Sequence, residues 1–544
     1  MVRALMRRWF FGALVFVNAL GAAPALAAED VVGLVTETGR RRLPDPEADT
    51  FRLLVSGEHQ LRFEALRSFP LVATPSAIAA RPGLADQSIG QNHFVSHWLR
   101  LRPRFQLRDA VEIIGQLDVV TGLLVGDTAR GTSADQTPRD TRDGFRNVQP
   151  RWLYAEVRLP LALVRLGQQP NHWGMGILTN DGDHPPLFGD HRYGAISERL
   201  LVATKPGGKD SPWNVAVAAD LVFRDNTVRL TRGDRAVQGV LAAYWEREGD
   251  RAGFFGYVRH QTNERPASAA ASFDDTLDVV TLDLHARKTH HLPGEPDAIV
   301  FAEAEMAVSL GSTTAGRVPA QTLAGERTDV RAYGGAASVG VVHRAAGEVP
   351  WGDLAGQVEL GYASGDADPY DATDSRFTFD PNHRIGLLLF DEILRFQTAR
   401  AATAASDPLG TNAGRATAGI DRLPSNGGVF SAQYINPTVI CRPRSWLDLK
   451  GGMVVAQATS EVVDPYRVAA SGRYVNYRGG SSRSKDLGIE LDAGVEARRP
   501  LPNGVTAQIG AQAGVLFPGN ALADASGARL STPWVAIGRL GLQF

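Results

Sequence analysis

The stretch "LGIELDAGVEAR", residues 487–498, separates its side chains into two clean sets over twelve positions. Leu487, Ile489, Leu491, Ala493, Val495 and Ala497 form one set, and Gly488, Glu490, Asp492, Gly494, Glu496 and Arg498 form the other. A helix, with its period of about 3.6 residues, mixes these sets, whereas a strand sends successive side chains to opposite faces. The same period runs through "GVTAQIGAQAGVLF" (504–517), "VVTLDLHAR" (279–287) and "VFAEAEMA" (300–307). It also runs through "HWLRLRPRFQLR" (97–108), where Leu99, Leu101, Pro103, Phe105 and Leu107 oppose Arg100, Arg102, Arg104, Gln106 and Arg108.

Such segments run about 10–15 residues, beyond the mode of about 5–6 for globular strands. They match the roughly 9–11 residues that a tilted strand needs to cross a bilayer. Gly/Pro/Asn/Asp turns divide the chain into eighteen candidate strands, from 59–68 to 533–544. The connections alternate between short ones (108–109, 160, 442–444, 500–503) and long ones (69–91, 127–149, 170–191, 365–427). Short turns on one side and long loops on the other are the pattern of an outer-membrane barrel. The expected fold is all-β: a closed antiparallel transmembrane β-barrel of 16–18 strands, 18 preferred, over residues 59–544. Residues 385–394 and the alanine-rich run after them predict a short helix within the long extracellular loop 365–427. An exposed "GLLLF" at 386–390 is a large apolar patch, so the loop is expected to fold inward as a constriction.

The N-terminus supplies the compartment. Arg3, Arg7 and Arg8 precede an apolar run from Trp9 to Leu20, and "ALA" follows at 25–27. That is a signal-peptide pattern, assigned to 1–28, with 29–58 read as a periplasmic lead-in. Without the signal, 54 basic side chains face 59 acidic ones, a formal charge of −5. This balance does not suggest a nucleic-acid partner. A single cysteine, Cys441, excludes an intramolecular disulfide framework. The last strand, "WVAIGRLGLQF" (534–544), ends on Phe544. A terminal aromatic of this kind resembles the sorting signal read by the bacterial barrel-assembly machinery.

In such a barrel the arginine row must face the lumen, because an arginine on the lipid face costs roughly 2–4 kcal/mol near the midplane. Candidate lumen-lining, solute-binding residues are Arg100, Arg102, Arg104, Arg108, Arg158, Arg165, Arg287, Glu303, Glu305, Glu490 and Asp492. Two readings of the row stay open. One is a strip that attracts an anionic solute; the other is a salt-bridge ladder that stiffens the wall and selects nothing.

Three stretches carry a resemblance: "VRLGQQPNHWGMGI" (164–177), "FTFDPNHRIGLLLFDEIL" (377–394) and "LGIELDAGVEARRPLPNGVTAQIGAQAGVLFPG" (487–519). They resemble the alginate-export type of large outer-membrane barrel, and more closely an uncharacterised myxobacterial outer-membrane barrel family. The resemblance implies an 18-stranded barrel with an electropositive lumen that passes an anionic uronate polymer. Only the arginine-rich second strand carries over in kind.

The loop "NHWGMGILTNDGDHPPLFGDH" (171–191) gathers His172, Asp181, Asp183, His184, Asp190 and His191. Asp181, Asp183 and His184 are weak metal candidates, since carboxylate and imidazole suit divalent ions. The reading taken is no metal and no cofactor. Catalysis is not expected either: the histidines are scattered and no G-x-S-x-G elbow is present. The sequence therefore points to a channel in the bacterial outer membrane for passive diffusion or export of a polar, anionic solute such as a saccharide. Its expected surroundings are outer-membrane lipid and lipopolysaccharide. The alternatives are a plugged structural or adhesion barrel and a barrel-embedded hydrolase.

Overall fold

The computed structural model describes residues 51–544, except 68–91, 108–109, 127–145, 191–193, 209, 264–274, 293–297, 315–326, 345–351, 370 and 400–423. The signal-peptide assignment and Arg108 lie outside the described residues. The strands are β1 (Phe51–Arg67), β2 (Asn92–Leu107), β3 (Val111–Gly126), β4 (Arg146–Arg158), β5 (Leu163–Pro170), β6 (Ile196–Thr204) and β7 (Trp213–Arg224). They continue as β8 (Arg235–Arg247), β9 (Asp250–Asn263), β10 (Asp275–His291), β11 (Ala298–Thr313), β12 (Thr328–His343) and β13 (Asp353–Ala363). A two-residue stub, β14 (Thr373–Asp374), precedes β15 (Ala432–Arg444), β16 (Leu447–Ala458), β17 (Asp486–Pro500), β18 (Thr506–Pro518) and β19 (Trp534–Gln543).

Each wall strand pairs antiparallel with its neighbours in sequence, β13 pairs with β15, and β19 returns to β1. The result is a closed barrel of eighteen strands, as the alternation predicts. The stub β14 lies parallel to β12 and adds nothing to the circumference. Closure runs to the last residue, where Gly57 and Phe544 exchange both backbone hydrogen bonds (2.8 and 3.0 Å). A Cβ at Gly57 would sit 2.6 Å from the Arg100 carbonyl oxygen and 2.8 Å from the Phe544 ring. Glycine is therefore what lets the terminal aromatic lie on the seam. β1 begins at Phe51, eight residues before the predicted strand and inside the segment read as a lead-in.

Burial alternates along the strands, and the outward positions are apolar. Leu166, Leu200, Leu282, Leu310, Val339, Leu360, Leu491 and Ile509 are all exposed. Aromatic side chains flank this band. Phe51, Trp213, Trp446 and Phe544 are exposed near the short turns, and Tyr333, Tyr362, Phe517 and Trp534 near the long loops. An apolar belt between two aromatic girdles is the surface of a membrane-spanning barrel, and lipid covers what water would not tolerate.

The interior is not empty. The loop after β5 and the long connection between β13 and β15 fold into the bore. Ile177, Leu187 and Phe188 from the first meet Phe379, Leu387, Leu388, Phe390 and Ile393 from the second. Inward residues of the wall, among them Ala332, Ala336, Val454, Val535 and Ile537, complete this core. Small wall residues make room for it: a Cβ at Gly334 would come within 2.4 Å of Phe377, and one at Gly452 within 2.7 Å of Phe188. The expected short helix is a fully buried π-helix, Leu389–Leu394, that continues as helix through residue 399. A second short helix, Pro465–Ser471, lies in the connection between β16 and β17. Burying a leucine side chain is worth about 1.5–3 kcal/mol, so "GLLLF" holds the connection inside instead of forming a surface patch.

Candidate functional site

The arginine row faces the lumen, as the strand period requires, and its members divide by height. Arg100 is fully buried, 2.7 Å from Asp118 and 3.1 Å from Asp183. Its guanidinium also stacks over Trp98 at 4.2 Å. Arg102 bridges Glu58 (2.6 Å) and Asp183 (2.9 Å). Nearer the short turns, Arg104 pairs with Glu112, Arg158 with Glu112 (3.2 Å) and Glu156 (3.0 Å), and Arg165 with Glu156 (2.8 Å).

Counted as charges, these five arginines and their five acids, Glu58, Glu112, Asp118, Glu156 and Asp183, cancel. Exposure breaks the symmetry. The Arg102, Arg104, Arg158 and Arg165 side chains are 31–43% exposed, whereas Glu112 and Glu156 beneath the last three are 3% and 6% exposed and Glu58 and Asp183 beside Arg102 are 15% and 11% exposed. The wall is thus a double layer, with carboxylates against the sheet and guanidinium groups toward water. A solute in the vestibule at the short-turn end meets cations first. The row is a salt-bridge ladder whose wet face carries guanidinium groups.

The other predicted lumen residues do face inward, but they are covered. Arg287 is buried 2.8 Å from Glu303, which also meets His285 at 2.8 Å. Glu305 accepts the backbone N–H of Gly176 (2.9 Å) and Ile177 (3.2 Å). Glu490 accepts three backbone N–H groups, from Leu387 (2.5 Å), Leu388 (2.7 Å) and Leu389 (2.7 Å), at the start of the π-helix. Asp492 is buried in the same inward row. Glu305 and Glu490 are therefore loop anchors: each satisfies donors that a loop buried in a barrel would otherwise leave unpaired.

Further anchors escape the sequence reading. Asp190 pairs with Arg62 and with Arg539 (2.9 Å), tying the end of the first loop to the seam strands. Asp380 bridges the two loops, accepting the Asn180 N–H (3.1 Å) and the Asn382 N–H (2.9 Å). His383 meets Glu359 at 2.9 Å and the Met175 carbonyl oxygen at 3.0 Å, and Tyr434 donates to the same Glu359 at 2.6 Å. Histidine, aspartate and asparagine in "FDPNH" (379–383) are the only local trace of this cluster.

These loop groups make the attachment pH-dependent. Burial alone depresses the His383 imidazole, but the Glu359 charge and the Met175 carbonyl outweigh it and hold it at about 9. Burial raises the Asp380 carboxyl from its ordinary 3.8 to about 7. Both groups bind a proton more tightly in the folded loops than in released ones. Their stabilisation is complete at acid pH. It is lost between pH 3.8 and about 7 for Asp380 and between pH 6.5 and about 9 for His383. Open-channel noise in planar bilayers is accordingly expected to grow from about pH 4 to about pH 9. In His383→Gln the alkaline part of that rise disappears. A flat profile in the unmodified protein contradicts this assignment.

In the 171–190 loop the structure brings Asp181 and His184 together and adds His172. Asp183, the third predicted metal candidate, is instead engaged by Arg100, Arg102 and Gln116.

No family model matches the sequence, and no curated protein matches it. Among solved structures, the chain is similar to OccK8 (OprE) of Pseudomonas aeruginosa, at 9% identity and a TM-score of 0.44, over 90% of this chain and 97% of that one. Similar values hold for OccAB1 of Acinetobacter baumannii (9%, 0.44, 90% and 97%). They hold also for Pseudomonas aeruginosa OccK2 (OpdF) in complex with glucuronate (8%, 0.44, 90% and 97%).

Proposed function

We propose that the protein is a channel of the bacterial outer membrane that passes small polar anions, with sugar acids as the favoured class. The observation that carries this reading is the double layer on β2–β5, in which partly exposed guanidinium groups overlie buried carboxylates. Guanidinium matches a carboxylate in charge and in fork geometry. Several weak sites in series suit a pore, which must release what it holds. Lipid and lipopolysaccharide surround the belt, and the Phe544 strand is the element presented to the assembly machinery. The resemblance to alginate exporters would make the solute a uronate polymer. The loops packed into the bore favour a monomer or short oligomer over a long chain.

Liposome swelling tests the reading. Proteoliposomes are expected to admit glucuronate faster than glucose of nearly equal size. Equal rates would remove the anion preference. No swelling with either sugar would favour the plugged, structural barrel.

A further inference from the structure

We propose that His172, Asp181 and His184 bind one divalent transition-metal ion at the tip of the 171–190 loop, at the inner edge of the vestibule. The three side chains come from one loop and converge. The imidazoles of His172 and His184 stack with centroids 4.1 Å apart and planes 24° from parallel. His184 Nδ1 lies 2.9 Å from Asp181 Oδ1. One donor atom from each residue lies within 4.8 Å of the other two. Metal–nitrogen bonds of about 2.0–2.1 Å in tetrahedral geometry put donors about 3.4 Å apart, so side-chain rotation closes the site without backbone movement.

Two further observations point to a ligand. The His172 Nδ1 atom is buried and has no hydrogen-bond partner among the described residues. A buried orphan of this kind costs about 1–3 kcal/mol unless something binds it. In addition, the guanidinium groups around the loop go elsewhere. Arg151 donates to the Asp181 main-chain oxygen at 2.8 Å, and Arg100 and Arg102 take Asp183. The Asp181 carboxylate accepts the Asp183 N–H at 2.8 Å and faces the His184 imidazole. These contacts hold the loop backbone, so the site is largely preorganised.

Two imidazole nitrogens and one carboxylate oxygen suit Zn²⁺, Ni²⁺ or Cu²⁺, and not the oxygen-seeking Ca²⁺ or Mg²⁺. Three protein ligands leave a coordination position open. His184 is about half exposed, which turns that position toward the vestibule. A bound ion adds two positive charges beside the Asp183–Arg100–Arg102 group. This effect on selectivity rests on the channel reading, whereas the binding itself does not.

The test uses the full barrel, purified in detergent without a histidine tag and stripped with EDTA. Calorimetry with ZnCl2 is expected to show one ion per barrel, with no saturable heat from CaCl2 or MgCl2. The Cu²⁺ form is expected to give an electron paramagnetic resonance spectrum with coupling to two imidazole nitrogens. His172→Ala and His184→Ala are each expected to weaken zinc binding at least tenfold while keeping the heat-modifiable gel mobility of a folded barrel. Absence of stoichiometric binding, or unchanged affinity in both variants, overturns the proposal. The assay needs no conduction, so a barrel that binds zinc yet shows no anion preference counts against the channel reading alone.

Discussion

Replacing residues 366–429 with a short Gly-Ser linker is expected to raise single-channel conductance severalfold. An eighteen-stranded barrel is wide enough to leave an aqueous channel unless something fills it. Here the filling comes mainly from the connection between β13 and β15, whose buried residues include Phe379, Leu388, Leu389, Phe390 and Ile393. The linker is geometrically simple, because the two strands are adjacent and Tyr362 already pairs with Gln433. A milder version is Glu490→Ala, which strips the acceptor from three N–H groups of Leu387–Leu389. It is expected to raise conductance fluctuations and to lower stability by about 3 kcal/mol, from the cost of buried unpaired donors. Single-channel recording and urea unfolding read the two effects. Unchanged conductance in the linker variant would mean that the connection does not obstruct the path.

The second large effect is a change of sign. In the quadruple variant Arg102→Gln, Arg104→Gln, Arg158→Gln, Arg165→Gln, the ladder loses four cations but keeps Glu58, Glu112, Glu156, Asp118 and Asp183, with Arg100 alone against them. The vestibule becomes anionic, and the channel is expected to pass from anion-selective to cation-selective. Breaking a buried pair leaves an uncompensated charge, at up to about 3–5 kcal/mol when both partners are dry. The half-exposed arginines reduce that figure here. Adding Glu58→Gln, Glu112→Gln and Glu156→Gln removes the stranded charges and leaves Arg100 with Asp118 and Asp183. This sevenfold variant is expected to regain stability and to select weakly. Anion selectivity that survives the quadruple change would locate the selecting charges elsewhere.

The wall was legible because its physics is local and periodic. The alternation at 487–498, 504–517 and 279–287 marks strands that the structure places within a few residues. The faces follow as well, with Arg100, Glu490 and Asp492 inward and Leu491 and Val495 outward. The partners of the arginine row were less legible. Glu112 and Asp118, two of its acids, belong to β3, where alternation breaks. The register shifts at Gln116/Leu117 and at two places opposite β2, and Val120 adopts a positive φ of 55°. Glu58 lies one residue before the strand predicted from 59, in a part of β1 that the alternation does not mark. Loop anchoring was illegible for a different reason. That Glu490 holds Leu387–Leu389, or that Glu305 holds Gly176, depends on contacts more than 100 residues apart in sequence, and no period encodes them. What the sequence did carry was the apolar "GLLLF", which must be buried somewhere.

The proposed anion preference rests on the wet face of the β2–β5 ladder, which presents guanidinium groups to water although its five arginines and five acids cancel. The most direct test is the reversal potential of the unmodified barrel in a planar bilayer across a KCl gradient, with EDTA on both sides. The expected potential has the sign that marks chloride as the more permeant ion and shrinks toward zero as total salt rises and screening sets in. A potential of the opposite sign, or none at low salt, would contradict it.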